Sequence, residues 1–249
     1  MLGTLYLIPN TLGAAENAAH PLAHVIPDHV QRITSRLDYF VAENAKTARA
    51  YLKLIALNHA LAKPLQDINI VELNVNTPPQ ALAGLLAPLL AGQDAGLISE
   101  AGVPAVADPG ADLVRLAHQH GITVKPLVGP SSLLLAVMAS GLNGQSFAFN
   151  GYLPTDPTLR GKRIKELENR SHGEKQTQLF IETPYRNSAM LDALVAHCQP
   201  RTQICVATDL SLAGESIQTR SGAQWKSLLN AGKGPDFHKK PTVFLLLAH

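Results

Sequence analysis

The sequence predicts an α/β protein of two domains, and three observations predict it. Short β-rich runs alternate with helical stretches along the whole chain. The alternation restarts after Gly129-Pro130, so residues 1–128 and 129–249 read as two α/β halves. The length of 249 residues suits one large domain or two of roughly 120 each, enough to bury a core without disulfide or metal staples.

In the first half, Thr4–Ile8 (TLYLI) reads as a buried strand followed by a turn at Pro9–Gly13. Ala45–Leu61 has a helical pattern with little to break it, and Ile68–Leu73 is strand-like. A helix is expected over Pro79–Ala91, since proline is welcome in a first turn. Asp94–Ser99 reads as a buried strand, and Gly110–His120 as a helix stopped by Gly121. Ile122–Leu127 is a further strand. This order predicts a mostly parallel sheet. In the second half, Ser131–Ser140 reads as a helix with a serine available as cap. Phe147–Phe149, Gln178–Glu182, Ile204–Ala207 and Thr242–Leu247 read as strands, and Asn187–Cys198 as a helix.

Composition removes several classes. Hydrophobic residues make up 46% and charged residues 16% of the chain, which argues against disorder. The apolar runs Ala81–Leu90, Leu133–Ala139 and Val243–Ala248 are far short of the roughly 18–20 residues needed to span a bilayer. The start, MLGTLYLIPN, lacks the basic region of a signal peptide, so a cytoplasmic protein is expected. Cys198 and Cys205 form no CxxC pair, which argues against a zinc site or a disulfide framework. His118 and His120 face apart on a helix, and His20 and His24 are separated by Pro21, so no metal site is expected. The net charge of +2 is too mild to announce a nucleic-acid partner and does not forbid one.

Three segments carry chemistry-bearing residues. Leu97–Gly110, LISEAGVPAVADPG, ends a buried strand and follows it with two small-residue turns, each holding an acid. Such turns let a ligand approach the backbone beyond the carboxyl end of a strand. They also read as ordinary turns, with Asp108 as a helix cap, and both readings stay open. Leu127–Ser132, LVGPSS, opens a helix with two serines, either as a plain cap or as a seat for a polar ligand. Leu179–Arg186, LFIETPYR, brings Glu182 to a strand end with Tyr185 and Arg186 behind it, as a substrate rim or a structural salt bridge. Neither GxGxxG nor GxxxxGK[ST] nor GxSxG occurs. A basic run at Thr158–Arg170 includes Arg160, Lys162 and Arg163, a solvated helix face or a phosphate contact. Aromatic residues are 5% of the chain, too few for a broad base-stacking platform.

Together with FAFNGYLP at Phe147–Pro154, these segments resemble the tetrapyrrole (corrin/porphyrin) methylase superfamily of S-adenosylmethionine-dependent methyltransferases. Within it the chain is most similar to the branch of small-subunit ribosomal RNA cytidine 2′-O-ribose methyltransferases. The resemblance runs from Gly3 to Ala248. It implies two α/β domains with S-adenosylmethionine in the cleft between them, and a homodimer. Carried over by position, the cofactor contacts would be Thr11, Leu12 and Gly13, then Ala101, Gly102, Val103 and Val106, then Ser131 and Ser132, and finally Glu182, Leu210 and Thr242. Glu43, Glu100 and Glu182 are the acids expected to take a proton from an acceptor hydroxyl. Tyr185 and Arg186 would orient that acceptor, and Arg160, Lys162 and Arg163 would hold an RNA backbone. The sequence departs from the branch at its first loop, NTLGA (Asn10–Ala14) in place of a TPIGN-like stretch. It departs again at ENAK (Glu43–Lys46), where the branch has Glu-Asp-Thr-Arg, and Glu100 stands for the usual aspartate. Methylation of RNA is the expectation. Two alternatives are methylation of a tetrapyrrole-like or other small molecule, and a cofactor-binding protein without catalysis.

Overall fold

The computed structural model describes residues 1–13 and 22–249. His20 and Pro21, and Ala14 at the end of the first loop, lie outside the described residues. The chain divides into two compact units, Met1–Ser131 and Ser132–His249.

The first unit is an open five-stranded sheet of β1 (Thr4–Ile8), β2 (Tyr39–Ala42), β3 (Asn69–Glu72), β4 (Ala95–Ile98) and β5 (Thr123–Pro126), in the order β3-β2-β4-β1-β5. All its pairings are parallel, as the alternating pattern predicts. The central strands β2 and β4 are buried along their whole length, because helices cover both faces. Alternate side chains feed separate cores. Tyr39, Val41 and Leu97 join Leu86, Leu89 and Leu113 of α3 (Leu82–Leu90) and α4 (Ala111–Gln119) on one face. Phe40 and Ile98 join Val30, Leu52 and Ile55 of α1 (Asp28–Ser35) and α2 (Ala45–Ala56) on the other. Gly96 is needed where those cores press closest, since a Cβ there would stand 2.5 Å from Ile8 Cδ1.

Two helical expectations change in detail. Helix α2 ends at Ala56 and not at Leu61. Asn58 N and His59 N fold back onto Ile55 O, and the His59 ring meets Asp28 Oδ1 at 2.8 Å, tying the turn to α1. The Pro79–Ala91 stretch starts with a 3₁₀ turn at Pro79–Ala81 before α3. Helices α1 and α8 (Gly222–Asn230) and strands β2 and β9 (Ser216–Ser221) were not anticipated from the pattern.

The second unit is a mixed five-stranded sheet in the order β6-β7-β10-β8-β9, built from β6 (Phe147–Tyr152), β7 (Thr177–Ile181), β8 (Gln203–Thr208), β9 and β10 (Thr242–Leu247). Only β6 and β7 pair in parallel. Strand β6 runs three residues past its expected end, through a register shift between Phe149 and Tyr152. Gly151 supplies a φ of +64° in that shift. Helices α6 (Pro157–Glu174), α7 (Asn187–His197) and α8 cover a core around Phe180, Phe244 and Trp225. Phe180 and Phe244 stack at 6.0 Å, and Trp225 Nε1 donates to Ile204 O at 2.9 Å. Helix α5 (Ser132–Ser140) packs on β8, β9 and β10, where Thr219 Oγ1 donates to Ser140 O at 2.7 Å. No helix among the described residues is long and apolar enough to cross a membrane.

Candidate active site

In the first unit, the loops beyond the carboxyl ends of β1, β2, β4 and β5 converge, as expected where strand order reverses in an open parallel sheet. Asn10, buried at the end of β1, fastens two of them. Its Nδ2 donates to Ser99 O at 3.2 Å and Glu100 O at 3.0 Å, while its backbone N donates to Gly102 O at 2.8 Å. Gly102 N in turn donates to Thr11 O at 3.3 Å. Gly102 has φ +68°, and a Cβ there would meet Leu12 Cδ2 at 3.2 Å and Pro130 O at 3.6 Å. Gly129 packs on Pro9 so closely that a Cβ would fall 2.2 Å from the proline Cβ. Glycine is therefore required at Gly129 by close packing and at Gly102 by its positive φ, and the hydrogen bonds of Gly102 tie its loop to the one after β1. Ala105 and Ala107 both sit at φ 65°, a strained conformation for L residues of the kind that collects at functional loops.

Of the unit's expected contacts, Gly102 is buried and Leu12, Gly13, Val103 and Ser131 are half-buried. Ala101 and Val106 are exposed. The acids also meet here. Glu43, just past β2, accepts from Glu100 N at 3.1 Å, and Glu100 itself points to solvent. Asp108 completes the cluster. It is not the cap of α4, whose N-cap is Gly110 at φ +128° with no side-chain cap bond. Half-buried near Glu43 and Glu100, Asp108 has its pKa raised from 3.8 to about 6. Burial is the larger cause and the charge of Glu43 the next, with a Ser99 hydrogen bond working the other way. Of the two readings the sequence left open for this segment, the one with Asp108 as a helix cap does not hold.

Asn44 accounts for one departure from the ribosomal branch. Its side chain caps α2, accepting from Lys46 N at 2.9 Å and Thr47 N at 3.4 Å.

The second unit gathers Glu182, Leu210 and Thr242 at one end of its sheet, where Thr242 pairs with Thr208 and Val243 with Ile181. All three are buried. Glu182 Oε1 accepts from Arg186 Nε at 3.0 Å, from Arg186 Nη2 and from Thr183 N at 2.7 Å, so the salt-bridge reading of LFIETPYR holds. Glu182 Oε2 is buried and has no partner among the described residues. Asn187, missed in the sequence, fastens the same end. Its Nδ2 donates to Phe237 O, Lys240 O and Thr242 Oγ1 at 2.9, 2.9 and 3.1 Å. Tyr185 stands out at 75% exposure. Ser132, half-buried, opens α5.

The basic run lies on α6 and divides. Lys162 is exposed and Arg163 half-buried, 3.2 Å from Glu166. Arg160 turns inward at 8% exposure and donates to Thr155 O, because it shares the buried face with Ile164 and Leu167. The expectation of Arg160 as a solvent-facing phosphate contact is therefore corrected. Among the described residues no group of His, Cys, Asp and Glu is placed to hold a metal ion.

No protein-family model matches the chain. Over 245 residues, 98% of this chain and 77% of the relative, it is 29% identical to a protein from Escherichia coli O157:H7 named "Ribosomal RNA small subunit methyltransferase I". A protein of the same name from Xylella fastidiosa is 29% identical over 86% of this chain and 71% of its own length. The solved structure of the methyltransferase CobJ superposes with a TM-score of 0.61 at 16% identity, covering 99% of this chain and 94% of that one. That of the cobalt precorrin-4 methyltransferase CbiF gives 0.58 at 13% identity, covering 98% and 94%. The class follows: the chain has the tetrapyrrole methylase fold and is an S-adenosylmethionine-dependent methyltransferase. Within that class its sequence is similar to proteins named as small-subunit ribosomal RNA methyltransferases, as the motifs led one to expect.

Proposed function

We propose that this chain transfers a methyl group from S-adenosylmethionine to a ribose 2′-hydroxyl of small-subunit ribosomal RNA. The observation that carries the reading is the near-full-length similarity to proteins of that name. The small residues of the first unit's loops suit a closely held cofactor: Gly102, at φ +68°, lies where a Cβ would crowd Leu12 and Pro130. Leu12, Gly13, Ala101, Gly102, Val103, Val106 and Ser131 would hold it there. Ser132, Glu182, Leu210 and Thr242 are proposed as further cofactor contacts, with the unpartnered Glu182 Oε2 an acceptor in need of a donor. Bound, the cofactor supplies an activated methyl carbon on a cationic sulfur.

The chain's own groups do the rest. Close alignment of acceptor and methyl is the main requirement of an in-line displacement. As the new O–C bond forms, the hydroxyl proton must pass to a base. Glu43, Glu100 and Asp108 form the cluster that would take it. Asp108 suits the task best, because a carboxyl pKa of about 6 leaves it ionised at neutral pH yet a stronger proton acceptor than an ordinary aspartate. Glu182, neutralised by Arg186, is the weaker choice for a base. Tyr185 and Arg186 would orient the acceptor, and Lys162 and Arg163 would contact backbone phosphates. The homodimer implied by the resemblance and a cytoplasmic address belong to the same reading.

Labelled methyl transfer to small-subunit RNA from a strain lacking the enzyme tests it. Label is expected on a ribose, and Lys162→Ala with Arg163→Ala should lessen the salt dependence of binding by about one unit of slope for each phosphate no longer neutralised. Label appearing only on a small-molecule acceptor would favour the tetrapyrrole-type alternative. Cofactor binding without label on any acceptor would favour loss of catalysis.

A further inference from the structure

The solvent face of α2 carries a line of cations with nothing to neutralise them. Lys46, Arg49 and Lys53 are all exposed, and the helix holds no acid. Spacings of three and four residues put them within about 60° of one another around the axis. The opposite face buries Ala48, Tyr51, Leu52 and Ile55. None of the three cations makes an ion pair among the described residues. We propose that this stripe holds the phosphate backbone of the RNA strand that leads to the acceptor ribose. The inference rests on the RNA reading above and adds to it a contact surface on the first unit.

The stripe serves an outside anion better than it serves the helix. Lys46 sits in the first turn, at the positive end of the helix dipole, where a cation is unfavourable. The acids at that end are occupied by main chain: Glu72 accepts from Ala45 N at 2.9 Å and Glu43 from Glu100 N at 3.1 Å. Arg49 reaches Ala45 O at 3.4 Å. Only Lys53, in the last turn, suits the dipole. On α6, by contrast, Arg163 pairs with Glu166, Arg170 pairs with Glu174, and Arg160 is buried.

The position suits a strand that enters the site. Helix α2 starts directly after Glu43 and Asn44, so the stripe begins beside the carboxylate cluster. From Lys46 to Lys53 it runs about 10 Å along the axis, long enough for more than one phosphate. At its far end a cavity of about 470 Å³ is lined by Lys53, Lys63 and the apolar Ala56, Leu61, Pro64 and Leu65, with no acid in the lining. Lys63 is held by Asp38 at 2.5 Å, so Lys53 is the cation left to an incoming phosphate. The cavity has room for the sugar beyond that phosphate. Between Lys46 and Lys53 the one other exposed residue is Ala50. The stripe therefore lacks the large apolar anchor on which a protein interface centres, and its cations match a contact that positions a strand without reading its sequence.

Filter binding of the full chain to small-subunit ribosomal RNA from a strain lacking the enzyme, over a range of salt concentrations, tests the proposal. With Lys46→Ala, Arg49→Ala and Lys53→Ala combined, the slope of log affinity against log salt should become shallower by about two, at about 0.7 for each phosphate of a single strand. Affinity at low salt should fall about tenfold or more, and each single variant should remove about a third of the slope change. KM for RNA should rise with kcat little altered, and S-adenosylmethionine binding by calorimetry should stay unchanged, which separates lost charge from unfolding. Arg170→Ala, whose charge is already held by Glu174, should leave the slope as it is. An unchanged slope in the folded triple variant would overturn the proposal, as would an equal loss in Arg170→Ala. Loss of binding to intact small subunits with binding to naked RNA retained would also overturn it, in favour of an acidic protein surface as partner. Salt-dependent RNA binding through the stripe without methyl transfer to RNA would sink the RNA reading and leave the stripe standing.

Discussion

The two sheets end in different ways. The strand ends of the first unit are finished by turns of small residues: Gly102 and Gly129 lie close against the side chains of Leu12 and Pro9, Ala105 and Ala107 are left-handed, and Asn10 and Glu43 tie the loops through main-chain groups. Those of the second unit are locked by side chains, with Asn187 spanning three acceptors and Glu182 holding Arg186 and Thr183. The contrast follows from topology. A parallel sheet sends every strand into its loops at the same edge, and small residues there leave backbone dipoles free for a ligand. In a mixed sheet one edge joins the ends of some strands to the starts of others, and buried polar groups must find partners across it.

Substitutions can break this contrast, and Asn187→Ala should be the most damaging. It strips a donor from one buried and one half-buried carbonyl, and at about 1–3 kcal/mol for each group left unsatisfied, a loss near 3 kcal/mol is expected in urea unfolding. A loss below about 1 kcal/mol would mean that the second sheet does not depend on this lock. Gly129→Ala should cost about 2 kcal/mol by overpacking against Pro9, with unchanged stability contradicting the close approach. Asp108→Asn should instead stabilise. A carboxyl whose pKa rises from 3.8 to about 6 on folding binds more protons folded than unfolded. Stability therefore falls as pH climbs through that window, and the whole penalty is present above pH 6. Because Asp108 is only half-buried, solvent screening reduces the penalty to about 1 kcal/mol. The variant should gain about that much at pH 7 and little at pH 4, and the reverse would deny the raised pKa. Arg170→Ala, which removes an exposed pair with Glu174, should change stability by less than about 0.5 kcal/mol.

How much of this was legible depends on what each residue answers to. Thr242–Leu247 stands where its apolar run puts it, because a strand buried on both faces is apolar nearly throughout, and Thr4–Ile8 does so with Thr4, Tyr6 and Leu7 only half-buried. Strand β9, SIQTRS, escaped notice because an edge strand of mixed exposure carries little pattern. Helix α8 did carry a signal, the capping box of Ser221 and Gln224, which went unread. Arg160 could have been separated from its basic neighbours by spacing, since it lies one turn from the buried Ile164. Asp108 could not. Its raised pKa comes from burial and from Glu43, which the fold brings over from the end of a different strand. Local sequence speaks to caps and periods, whereas a functional carboxylate is made by its distant neighbours.

The central proposal is that S-adenosylmethionine sits against the small-residue loops around Gly102. Calorimetric titration of the cofactor into the wild type and into Gly102→Val, with folding of both checked by circular dichroism, addresses it most directly. The account predicts saturable binding by the wild type. It predicts affinity at least tenfold weaker in the variant, because the new side chain collides with Leu12 at a φ that L residues rarely adopt. Equal affinity in two folded proteins would contradict it.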